Sequence, residues 1–120
     1  MDKIIHKMLE FSNQIKFYHW KTESYARHKA TCKFLEILNG KIDDFVEAMI
    51  GSREYRPKTD QTFKLVKIDD ENAYRYVVKF RDWLKKELPK LVEKDDSDLL
   101  NIRDEILSNT NRLLYLFSFN

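Results

Sequence analysis

Residues 19–51, HWKTESYARHKATCKFLEILNGKIDDFVEAMIG, decide the fold. Ala26, Ala30, Phe34, Ile37, Leu38, Ile42, Phe45, Val46 and Met49 recur at three- and four-residue steps, the period of one helix face. Asn39-Gly40 interrupts them with a turn dipeptide able to split a helix or to open a hairpin. The flanks FLEIL and KIDDFVEAMI nevertheless keep the helical period, and a glycine inside a helix costs only about 1 kcal/mol. We therefore expect one helix, B, over 24–50, with an N-cap drawn from Thr22 to Ser24 and a stop at Gly51.

The same period extends outward. Ile4, Ile5, Met8, Phe11 (or Ser12), Ile15 and Tyr18 form the stripe of helix A, 2–21. Asp69 or Asp70 can cap helix C, 70–92, whose stripe is Tyr74, Val77, Val78, Arg81, Leu84, Leu88 and Leu91; Pro89 should kink or end it. Ser97 or a neighbouring Asp caps helix D, 97–117, with Leu99, Ile102, Ile106, Leu113 and Phe117 in register. Residues 52–68, with Pro57 and the β-branched run TFKLVKI, read as a connection extended in its second half that crosses the length of the bundle. The expected architecture is a single all-α domain, a four-helix bundle over 1–120 with a longer B–C crossover.

Composition agrees. At 42% hydrophobic and 35% charged residues, with two Gly and two Pro, the chain is too apolar for disorder and too poor in turn residues for a many-stranded sandwich. At 120 residues the core is modest, which favours oligomers. The 22 basic and 20 acidic residues are interspersed, so nucleic acid is not an expected partner; KKELPKLVEK at 85–94 reads as a solvated helix face. No apolar run is long enough to span a membrane, no signal peptide is visible, and Cys32 is the one cysteine. A soluble cytoplasmic protein is expected.

The chemistry is concentrated in the opening stretch. Asp43 and Glu47, four apart, project from one helix face about 5 to 6 Å from each other, a spacing that suits a cation but also an ordinary solvated face. His19 and His28 flank the A–B turn, where two imidazoles can meet; imidazole binds iron, zinc or copper, although histidines beside a turn are often surface residues. The two pairs are far apart. His28 and Asp43 are fifteen residues distant, roughly 22 Å along a helix, beyond the reach of one ion. Two copies of helix B packed antiparallel about a twofold axis remove the difficulty, because the start of each helix then meets the end of the other. Asp43 and Glu47 lie about 60° and 100° from His28 around the helix, so all three fit one dimer-facing side.

His19-Trp20, Tyr25-x-x-His28 and Asp43-x-x-x-Glu47 resemble the pattern of the Dps-like mini-ferritins within the ferritin-like superfamily, over about a third of the chain. The resemblance implies an iron site between subunits, with His19 and His28 from one chain and Asp43 and Glu47 from the other, and Fe(II) oxidation as the activity, a ferroxidase protecting against oxidative damage. The His19–His28 interval is nine where that family usually has twelve, and Cys32 stands where an acid often serves a second iron. Ser24-Tyr-Ala-x-His28, Asn101-Ile-Arg-Asp-Glu-Ile-Leu107 and Leu113-Leu-Tyr-Leu116 are similar to segments of small ferritin-like proteins of bacteria and large DNA viruses, which adds the virion or the infected-cell cytoplasm as a location. The competing expectation is a non-enzymatic virion or assembly protein that keeps the bundle and the dimer interface. Asp104 and Glu105 read either as a further carboxylate inside the bundle or as a salt-bridged surface pair, Trp20 as an interface anchor, Cys32 as a packed small hydrophobe, and His6 with Glu10 as helix pairing.

Overall fold

The computed structural model describes residues 1–119. Four α-helices carry the chain: α1 (Asp2–Lys21), α2 (Tyr25–Arg53), α3 (Ala73–Asp82) and α4 (Ser97–Phe117). No strand occurs among the described residues, and no helix there is long and apolar enough to cross a membrane.

α2 runs unbroken through Asn39-Gly40. Ser24 opens it, its hydroxyl accepting the Arg27 amide, which leaves one fewer orphan donor in the first turn. The helix does not stop at Gly51 as expected but continues to Arg53, and Glu54, not a glycine, takes the left-handed turn at φ 50°. Its buried stripe is Thr31, Phe34, Leu35, Leu38, Ile42, Phe45 and Met49; Ala26 is exposed and Ile37 only half-buried.

Helix C, expected over 70–92, is α-helical only over 73–82. Five residues of π-helix, Trp83–Glu87, and a 3-10 turn, Leu88–Leu91, follow. Pro89 explains the change: it offers no amide to Lys85, and its ring crowds that carbonyl. The turn widens, and the Leu88 amide bonds to the Trp83 carbonyl. The Leu84 carbonyl, released by this shift, accepts the Arg103 guanidinium at 2.9 Å. The buried face of this segment is Ala73, Val77, Phe80, Leu84 and Leu88, while Tyr74 and Leu91 face solvent.

Contacts at the helix ends fix the directions. Arg53 pairs with Asp96 at one end, and Arg27 reaches the Phe117 carbonyl at the other, so α2 and α4 are antiparallel. Residues 54–72 lie along α1: Tyr55 bonds to Asp2, the Thr62 carbonyl to His6 at 2.6 Å, Val66 to both ends of the Gln14 amide, and Asp70 to Tyr18 at 2.7 Å. His6 also stacks on Phe63, so it holds this segment and does not pair with Glu10.

The core joins all four helices through Ile4, Met8, Phe11, Leu38, Phe45, Val77, Leu99 and Ile106, each 2% exposed or less. Burial of each large apolar side chain contributes about 1.5–3 kcal/mol. Between α1 and α3 four rings form a column: Tyr76 on Phe11 (5.6 Å), Phe11 on Phe80 (3.7 Å) and Phe80 on Trp83 (5.7 Å), with planes within 18° of parallel.

Candidate metal centre

The two histidines meet where α1 hands over to α2. Thr22 closes α1 by donating its amide to the Tyr18 carbonyl, and Ser24 starts α2 two residues later. That tight link stacks the His19 and His28 rings with centroids 4.0 Å apart and planes 14° from parallel.

Their hydrogen bonds settle which nitrogen carries the proton. Nδ1 of His28 lies 2.9 Å from the His19 carbonyl oxygen, which only accepts, so the proton is on Nδ1. Nδ1 of His19 lies 2.9 Å from Oγ1 of Thr31, whose own proton goes to the backbone carbonyls of Arg27 (2.8 Å) or His28 (3.1 Å). Oγ1 therefore accepts, and His19 is protonated on Nδ1 as well. In its neutral form each ring then has its lone pair on Nε2, the form in which an imidazole binds a metal while a protein group holds its other nitrogen. Burial, and then the neighbouring His28, hold the His19 imidazole below its usual 6.5, which keeps it neutral at pH 7.

The carboxylates are placed differently. Asp43 and Glu47 are exposed on α2, and neither has an ion-pair or hydrogen-bond partner among the described residues. Lys41, the lysine two residues before Asp43, reaches Glu105 at 3.0 Å and Asp44 at 3.9 Å. An unbroken α2 keeps Asp43 roughly 22 Å and Glu47 roughly 28 Å from His28. Within one chain, no group of three or more His, Cys, Asp or Glu among the described residues can hold an ion. One copy thus brings His19 and His28 together and keeps Asp43 and Glu47 apart from them.

Other candidates resolve as structure. Glu105 and Asp104 are exposed and paired with Lys41 and Arg103, so neither lies inside the bundle. Cys32 is exposed, not packed. Trp20 is 63% exposed, with Lys16 over its ring and Phe17 at its edge.

Two groups of residues were not anticipated. Thr31, fully buried, fixes the His19 ring; a hydroxyl in an otherwise apolar stripe was the available sign. Around it Arg27 ties the helix ends together, donating to the Tyr18 hydroxyl (2.9 Å) and the Asp70 carbonyl (3.0 Å) and lying over the Phe117 ring. The Asp70 carboxylate accepts from Thr22, Tyr18 and the Glu23 amide. Burial alone would raise its pKa, but these donors and Arg27 outweigh burial and hold it below the usual 3.8.

The model of a family of unknown function, DUF5856, matches residues 19–117. The chain belongs to this family. The matched span begins at His19 and contains all four candidate ligands together with Thr31 and Arg27. No match was found among curated proteins or among solved structures.

Proposed function

We propose that the protein is a ferritin-like, Dps-like iron-binding protein whose sites are completed by a second copy: His19 and His28 of one chain with Asp43 and Glu47 of an antiparallel partner, twice over about a twofold axis. The observation that carries this is the histidine pair, stacked and fixed before any ligand binds, with each Nδ1 held by a protein oxygen and each Nε2 left as the ligating position. Imidazole with carboxylate suits iron, and unpaired carboxylates on the same helix supply the missing charge. The hydrogen bonds of residues 54–72 along α1 support reading them as a ferritin-type crossover.

In the ferroxidase form of this proposal Fe(II) is the substrate, giving one electron to peroxide or dioxygen. The residues of the chain bind and orient it: the carboxylates favour the more highly charged ferric product, and Thr31 and the His19 carbonyl keep both imidazoles in the ligating tautomer. A reduced compartment fits the exposed Cys32 thiol. A purely structural assembly protein is the second reading, favoured by Leu9, Phe17 and Trp20 exposed on α1.

Anaerobic Fe(II) titration followed by air separates the two. About one or two irons per chain and a ferric absorbance are expected; no uptake at micromolar iron leaves the assembly role. His28→Ala and Asp43→Ala should each abolish binding, and mixing the two variants should restore part of it, since heterodimers keep one intact site. Intact dimers without that rescue would rule out a shared site.

A further inference from the structure

Between residues 66–67 and the first turns of α3 lies a cavity of about 330 Å³, lined by Val66, Lys67, Asn72, Arg75, Tyr76 and Lys79. Its three cations come from two different elements, and the lining contains no carboxylate. None of the three has an ion-pair partner among the described residues, and Glu10 lines only an adjoining cleft that Tyr76 and Lys79 share. Like charges that converge on a concavity without a counter-ion repel one another, a cost that an anionic ligand removes.

The remaining lining suits an organic anion. Tyr76 is half-buried against Phe11, yet its hydroxyl has no protein partner and is not sealed from solvent. Burial, with Glu10 secondary, pushes its pKa up to about 12, so at neutral pH it remains a donor. Val66 adds an apolar wall. The volume falls within the range of small-molecule sites, about 300–1,000 Å³.

We propose that this cavity binds a phosphorylated small molecule of nucleotide size, with its phosphates held by Lys67, Arg75 and Lys79 and its organic part laid against Val66 and the Tyr76 ring. The site is independent of the metal reading, shares no residue with it, and stands or falls separately.

Calorimetric titration of the full chain at about 0.15 M salt, a concentration that screens diffuse surface attraction, tests it with three probes: ATP, inorganic triphosphate and adenosine. ATP and triphosphate should bind once per chain, and adenosine far more weakly. Arg75→Ala and Lys79→Ala should each weaken ATP binding about tenfold or more, as expected for loss of a charge-assisted hydrogen bond. Both side chains are exposed, so these variants should keep the native helical circular dichroism. The Lys85→Ala/Lys86→Ala pair removes exposed charge from the next turns of the same segment, outside the cavity, and should change affinity less than about twofold. The proposal is overturned by absence of saturable ATP binding up to about 1 mM, by adenosine binding as well as ATP, by triphosphate failing where ATP binds, or by the Lys85/Lys86 control weakening binding as much as Arg75→Ala.

Discussion

The first two turns of α2 and its last three turns share one core but treat their polar side chains in opposite ways. At the start, Ser24 caps the helix, Arg27 is bound to Tyr18 and Asp70, His28 to the His19 carbonyl, and Thr31 to His19. Beyond Gly40, Asp43 and Glu47 extend into solvent unaccompanied. At that end Lys41 and Arg53 pair with Glu105 and Asp96, so it is the two carboxylates, not the whole end, that differ from the start of the helix. A site built from these carboxylates and the histidines is preorganised on the imidazole side and assembled on the carboxylate side.

The contrast can be broken at several levels. If the two ends truly share a core, Phe34→Ala and Phe45→Ala should each cost about 3–5 kcal/mol in urea denaturation; a Phe45→Ala cost under about 1 kcal/mol would show the carboxylate end to be loosely attached. Arg27→Ala should cost about 1.5–3 kcal/mol through its lost charged hydrogen bonds, while Asp43→Ala and Glu47→Ala should stay within about 0.5 kcal/mol. Equal effects from the three would erase the distinction.

Thr31→Val should cost about 1–3 kcal/mol by leaving the His19 Nδ1–H buried and unpartnered. Nitrogen NMR of the ring should then lose the single Nδ1–H tautomer. The pH dependence follows from the same residue. Because burial lowers the pKa of folded His19, the unfolded chain takes up the proton first, and stability should fall as pH drops below about 6.5. His19→Gln should flatten that fall, and an unchanged slope would locate it elsewhere. One change should be a gain: Gly40 has no atom within 4 Å of where a Cβ would sit and has no positive φ, so Gly40→Ala should stabilise the monomer by about 0.5–1 kcal/mol.

Much of the fold was legible before any coordinates. The bounds of α1 and α4 coincide with the periodicity, because each has a continuous stripe and no competing signal. The end of α2 was misplaced because a glycine on the outer face looked like a stop, although nothing there demanded a left-handed residue until Glu54. The π-turn after Asp82 was not foreseeable: Pro89 announces a disturbance but not that Arg103 would take the carbonyl it frees. The meeting of His19 and His28 followed from the short turn, whereas the Thr31 contact depends on ring orientation. The cationic cavity stayed hidden because its charges sit at 67, 75 and 79, on a connection and a helix, under a net charge of only +2.

The ring column between α1 and α3 also gives the molecule two optical addresses. Of the two tryptophans, Trp83 ends the Tyr76–Phe11–Phe80 stack, whereas Trp20 projects into water beside the histidines. Trp83 should emit toward the blue and contribute near-ultraviolet dichroism that vanishes when α1 and α3 separate. Trp20 should emit toward the red, and a blue shift of that emission with concentration would report the dimer proposed above, while Trp83 reports unfolding in the same cuvette.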